Sequence, residues 1–114
     1  MKHQKPEIIF RIWFYSKDGK ILGKGRVELL ELIDKTGSIS AAAKEMKMSY
    51  RQAWQMVEEM NERSANPLVE KQLGGKSGGG TVITEAGHQA IKQFHELEKK
   101  IKIFIAQESK KIKV

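Results

Sequence analysis

The 114-residue sequence predicts a mainly α domain with a small β component. Three observations carry this. Apolar residues recur at helical spacing over 25–36 and again over 87–104. Serines stand where the middle helices should begin. Two pairs of short runs, rich in β-branched or aromatic residues, are each separated by turn residues. The length suits a single domain with one modest core, which a dimer interface would help to stabilise.

The elements follow in order. Glu7 to Ser16 reads EIIFRIWFYS and favours a strand. Lys17-Asp18-Gly19 is a turn signal, and Lys20-Ile21-Leu22 can return as a second strand, so a hairpin is expected over 7–22. From Gly25 to Thr36, Val27, Leu29, Leu30, Leu32 and Ile33 give a helix one broad buried face, with Gly37 as its C-terminal cap. A two-turn helix comes next, with Ser40 as the expected N-cap and Ile39, Ala42, Met46 and Met48 turned inward. Ser49 then caps a third helix, and Gln52 at its third position completes a capping box. Tyr50, Ala53, Trp54, Val57 and Met60 are expected on its buried face, and Asn66-Pro67 ends it. Trp13 is expected, like Trp54, in a core or an interface.

Two adjacent helices, the second capped by serine and joined to the first through Met46-Lys-Met-Ser49, form the pattern of a helix-turn-helix. The start of the second helix offers Ser49, Arg51, Gln52 and Gln55, with Tyr50 and Trp54 nearby. Arg and Gln are the side chains that read guanine and adenine edges in bidentate fashion. On chemistry alone this is either a base-reading surface or a solvated helix face.

Leu68 to Leu73 and Thr81 to Thr84 read as two strands around a glycine-rich tip, Gly74 to Gly80. A hairpin directly after a helix-turn-helix is a wing. Few side chains obstruct its tip. Lys71, Gly75, Lys76 and Ser77 are the residues expected to meet a phosphate backbone, through charge, hydroxyl and backbone N–H groups. The Gly75-Lys76-Ser77 triplet looks like the tail of a nucleotide phosphate loop, but the spacing excludes that. The required upstream glycine position holds Glu70, and an apolar β-branched run follows where a helix should open.

Thr84 should cap a last helix reaching about Ser109. Gly87, Ala90, Phe94, Leu97, Ile101 and Phe104 alternate at spacings of three and four, a coiled-coil-like seam. Part of this stripe must cover the domain's own core. Phe94, Leu97, Ile101 and Phe104 are the expected dimer-interface residues. The whole chain reads as one domain over 1–114, with the helix-turn-helix and wing over 25–84 and a dimerisation helix over 85–109.

Composition bounds the function. The chain carries a net charge of +7, which favours a polyanionic partner such as nucleic acid or an anionic membrane surface. The charge is uneven. Residues 1–26 carry +5, from Lys2, Lys5, Arg11, Lys17, Lys20, Lys24 and Arg26 against Glu7 and Asp18, whereas 38–84 carry only +1. If the middle binds DNA, the ends must supply much of the long-range attraction. The absence of cysteine excludes disulfides and thiolate chemistry. No apolar run approaches the roughly 20 residues of a membrane span, and the start lacks the features of a signal peptide. A cytoplasmic protein with no membrane partner is expected. No Ser, His and Asp grouping suggests a nucleophile, and the adjacent Glu58 and Glu59 diverge on a helix, so no enzyme is expected. His88 and His95 lie seven apart without a third ligand at helical spacing, so neither a metal nor another cofactor is expected.

Taken as a whole, Gly37 to Gly87 resembles the N-terminal DNA-binding domain of ModE-type molybdate-responsive transcription regulators. It is more distantly similar to the LysR-type helix-turn-helix. The motifs that carry the resemblance are Gly37-Ser-Ile-Ser40, Ser49-Tyr50 with Ala53-Trp54, and Glu59-Met60-Asn61. The Gly74–Gly80 wing and the Thr84-x-x-Gly87 helix start complete them. The resemblance implies dimeric, sequence-specific binding to duplex DNA and transcription regulation. It departs from the family in two places. Many members carry glycine in the turn where this chain has Lys47, so a left-handed lysine is expected there at a cost of about 1 kcal/mol relative to glycine. Full-length members also have C-terminal molybdate-binding domains, which a chain stopping at Val114 is expected to lack. The N-terminal hairpin is unlike the helical N-terminus of longer members. Two other readings remain: an oxyanion sensor built on the Gly74–Gly80 loop, and a protein-interaction module built on the N-terminal hairpin.

Overall fold

The computed structural model describes residues 6–72 and 80–114. These form a hairpin, β1 (Phe14–Ser16) and β2 (Gly19–Leu22), and then three helices, α1 (Lys24–Thr36), α2 (Ile39–Glu45) and α3 (Tyr50–Arg63). A second antiparallel pair follows, β3 (Val69–Gln72) and β4 (Gly80–Ile83), and then the long helix α4 (Glu85–Ser109). Each element expected from the sequence is present. Gly75, Lys76 and Ser77 lie outside the described residues.

The core is built from the apolar stripes of the helices and the inner faces of the strands. Leu29, Leu30 and Ile33 of α1, Ala42 of α2, and Ala53 and Met60 of α3 are fully enclosed. Leu22, Leu68, Val69 and Ile83 close it from the two hairpins. The small side chains of Ala42, Ala43 and Ala53 let α2 and α3 approach closely. Phe94 of α4 completes the core, with its ring centroid 5.4 Å from that of Phe14.

The turn between α2 and α3 has the expected strain. Lys47 has φ +56°. Its N–H donates to the Lys44 carbonyl, and the Met48 N–H donates to the Ala43 carbonyl, both at 3.0–3.1 Å. This is the bonding of a Schellman cap. The cap satisfies carbonyls at the end of α2 and holds a lysine where glycine would sit without strain.

Four expectations are corrected. First, the N-terminal strand does not begin at Glu7. Residues 6–13 alternate in burial but form no strand, because β2 offers a partner only to Phe14–Ser16. Second, α2 is capped by Ser38 rather than Ser40. The Ser38 side chain accepts from the Ala41 N–H at 3.1 Å, because the helix already begins at Ile39. Third, Tyr50 and Trp54 are not on the buried face of α3. They are 51% and 40% exposed, because the stripe that meets the core runs through Ala53, Val57 and Met60, and Trp54 is turned about 100° from Ala53. Fourth, of the two places expected for Trp13, the core is excluded, because the side chain is 49% exposed.

Candidate nucleic-acid interface

Helix α3 is positioned from both ends. At its start the Ser49 side chain accepts from the Gln52 N–H at 3.0 Å, which satisfies one of the donors that a helix N-terminus leaves open. Ala53, Val57 and Met60 seat the helix in the core. Ser49, Tyr50, Arg51, Gln52, Trp54 and Gln55 are then left exposed over the first two turns. The five recognition-helix residues singled out from the sequence are thus brought together on one solvent-facing end.

The far half of α3 carries two polar residues that bracket the buried Met60. Two residues on a helix differ by about 200°, so Glu59 and Asn61 point to opposite flanks. Asn61 takes the wing side. Its amide nitrogen donates to the Val69 carbonyl at 3.0 Å, and its carbonyl oxygen accepts from the N–H groups of Leu68 and Val69 at 2.8 and 3.1 Å. The wing is tied down further where the Thr81 N–H donates to the Gly37 carbonyl at 2.9 Å and the Thr84 N–H to the Leu68 carbonyl at 3.0 Å. Gly87 lets α4 pack directly against the backbone just before β3: a Cβ there would come within 2.3 Å of the Leu68 carbonyl oxygen.

Glu59 takes the hairpin side. Its carboxylate accepts from the Arg26 guanidinium at 2.5 Å and lies 3.6 Å from that of Arg63. The hydrogen bond from Arg26 holds its pKa below the ordinary carboxylate range, against the opposing effect of burial. Both arginines also donate to the Lys20 carbonyl of β2, at 3.1 Å from Arg26 and 2.8 Å from Arg63. The N-terminal hairpin is thereby joined to α1 and α3 through one carboxylate and one carbonyl.

A cleft lies on each flank of α3. One, of about 170 Å³, lies between α3 and the wing and is lined by Trp54, Glu58, Lys71 and neighbours. The other, of about 430 Å³, lies between α3 and the N-terminal hairpin, with Trp13, Lys20 and Lys24 facing Gln52 and Gln55. Lys71 is exposed on β3.

The residues assigned to the seam of α4 divide. Phe94 is 2% exposed and is enclosed by its own chain, so it belongs to the core and not to a face open to a partner. Leu97 and Phe104 are exposed, at 39% and 61%, and Ile101 between them is half-buried. His88 and His95 face carboxylates of α1: His88 Nε2 lies 3.7 Å from Asp34, and His95 Nε2 lies 3.2 Å from Glu31. Among the described residues no group of three or more His, Cys, Asp or Glu is placed to hold a metal. No helix among them is long and apolar enough to cross a membrane.

Sequence reasoning missed the roles of Glu59, Asn61, Arg26 and Arg63. The one available signal was a pair of polar residues bracketing a core methionine in the second half of an amphipathic helix.

A three-helix core whose third helix is serine-capped and exposed at its start, followed by an antiparallel pair of strands, defines a winged helix-turn-helix protein. Residues 25–88 match the family described as bacterial regulatory helix-turn-helix protein, lysR family, and the chain belongs to that family. It is similar to the molybdenum-pterin-binding protein MopB of Rhodobacter capsulatus, with 46% identity over 72% of this chain and 30% of that one. It is similar to the molybdenum transport protein ModE of Azotobacter vinelandii, with 40% identity over 70% of this chain and 30% of that one. Against the DNA-binding transcriptional dual regulator ModE of Escherichia coli K12, identity is 45% over 60% of this chain and 26% of that one. These relatives bear out the ModE-type resemblance. The chain spans less than a third of the length of the relatives it matches.

Proposed function

We propose that this chain binds duplex DNA sequence-specifically as a homodimer and regulates transcription. The observation that carries the reading is the exposed group Ser49, Arg51, Gln52 and Gln55 on the first two turns of a helix whose opposite face is locked in the core. A helix of ordinary diameter fits the major groove, and Arg and Gln reach base edges there. The ModE relative whose name describes it as DNA-binding supports the same reading. The stripe of Leu97, Ile101 and Phe104 on the outer part of α4 supports pairing with a second copy. Two copies would read half-sites about one helical turn, or a multiple of it, apart.

Selection of bound duplexes from a random pool, followed by affinity measurements on the selected site, tests the reading. Arg51→Ala or Gln52→Ala should cost about 1–3 kcal/mol and relax preference at one or two base pairs per half-site. Equal affinity for selected and scrambled duplexes in the wild-type protein would refute it. Light scattering on a Leu97→Glu, Ile101→Glu double variant tests the pairing: the wild type should be a dimer at tens of micromolar and the variant a monomer. Calorimetric titration with molybdate separates this reading from the oxyanion-sensor alternative, which predicts saturable heat from this chain alone.

A further inference from the structure

The cleft on the hairpin side of α3 is lined by an aromatic ring and two lysines directly beside the residues proposed to read bases. Trp13 packs over Gly23, where a Cβ would stand 2.8 Å from the indole Cδ1. The Lys20 ammonium lies 5.6 Å from the centroid of the Trp13 ring. Lys24 opens α1 on the same wall and is exposed, and the opposite wall is formed by Gln52, Gln55 and Glu59 of α3. The Glu59 carboxylate is engaged by Arg26, so the anionic wall of the cleft is largely neutralised.

The geometry of groove binding says what must lie beside such a helix. With its side chains an α-helix is about 10–12 Å across, and the major groove is about 12 Å wide. A helix that reads bases therefore fills the groove, and the structures on its two flanks stand over the two phosphate strands. The wing occupies one flank. The other is occupied by the N-terminal hairpin, which sits in the most basic part of the sequence, where residues 1–26 carry +5. Its position relative to α3 is set in advance by the two arginines that converge on the Lys20 carbonyl. Little ordering cost is left for binding to meet.

From this we infer that the N-terminal hairpin is a second backbone clamp. Lys20 and Lys24, with Trp13 supporting Lys20, hold the phosphate strand on the side of the recognition helix opposite the wing. The inference rests on the DNA-binding reading. It assigns the hairpin to positioning and leaves base choice to α3.

The test is equilibrium binding of the full chain to its selected duplex and to a scrambled duplex across a series of salt concentrations. Each lost phosphate contact flattens the plot of log affinity against log salt by about 0.9. The Lys20→Gln, Lys24→Gln double variant should flatten it by about two per protomer and lower affinity for both duplexes by a similar factor. A Lys20→Arg, Lys24→Arg variant should restore the slope. A Lys110→Gln, Lys111→Gln variant removes the same charge from the end of α4 and should leave the slope close to wild type. Thermal melts confirm that each variant is folded. An unchanged slope in the Lys20, Lys24 variant, or an equal flattening in the tail variant, overturns the clamp. If base preference still depends on Arg51 and Gln52, the DNA-binding reading survives that result. A wild-type protein that binds neither duplex removes both.

Discussion

The two hairpins flank the same helix, yet they are fastened to it by different chemistry. The wing is held by a neutral amide: Asn61 makes three hydrogen bonds to the backbone of Leu68 and Val69. The N-terminal hairpin is held by charge: Glu59 gathers Arg26 and Arg63, and the arginines in turn hold the Lys20 carbonyl. The neutral fastening acts between groups only eight residues apart or fewer, and it is insensitive to salt and pH. The ionic one spans the chain from residue 20 to residue 63 and depends on the protonation of one carboxylate. A positively charged protein can keep a carboxylate beside its candidate DNA surface if that carboxylate is spoken for by arginines, and Glu59 is.

The largest expected effect falls on the neutral side. Asn61→Ala would leave two backbone N–H groups and one carbonyl without their partner, at about 2–4 kcal/mol of stability. Urea unfolding monitored by circular dichroism measures it, and a loss below about 1 kcal/mol would mean that water replaces the amide freely. A smaller loss is expected on the ionic side. Glu59→Gln should cost about 1.5–3 kcal/mol at pH 7, because hydrogen bonds to a charged group are weakened and two arginines lose their counter-charge. Glu58→Gln, next to it but outside the network, should stay within about 0.5 kcal/mol of wild type.

The pH response separates the two fastenings. The folded pKa of Glu59 is lowered from its ordinary value of 4.5. A depressed carboxylate contributes stability that is fully present above its unfolded pKa and is lost as pH falls through the folded value. The penalty of Glu59→Gln should therefore hold from neutral pH down to about pH 5 and then shrink as pH falls below the ordinary carboxylate range. The penalty of Asn61→Ala should not change over the same window. Unfolding free energies of the three proteins between pH 3 and pH 7 decide this, and parallel curves for the two variants would contradict the ionic assignment.

Much of this fold was legible because its signals are local. Ser49, Thr84 and Gly37 sit at helix ends, where short-range chemistry decides, and each caps as its neighbours suggest. The reading failed where a decision depended on distant partners. Strand formation upstream of Phe14 needed a longer β2 than the sequence allows. Trp54 has the spacing of a core residue, but it lies at the edge of the cleft between α3 and the wing and stays 40% exposed. Phe94 and Leu97 are equivalent in a heptad pattern, and it is the tertiary packing, with Phe14 against the Phe94 ring, that encloses Phe94 while Leu97 is left exposed. The exposed end of α3 was legible because a serine cap announces where a helix starts. The two fastenings were not, because polar side chains have no periodicity that names their partners.

One consequence of the Asn61 contacts concerns exchange with solvent deuterium. The amide protons of Leu68 and Val69 are bonded to a side chain rather than to a neighbouring strand, whereas the Thr84 amide is bonded across the base of the wing to the Leu68 carbonyl. Protection at Leu68 and Val69 therefore reports whether the wing is seated on α3, and protection at Thr84 reports whether the base of the wing is closed. Opening of the seat alone would expose the first two and spare the third. In a protein that bends its wing towards a ligand, these neighbouring amides would act as separate clocks for the hinge and for the hairpin.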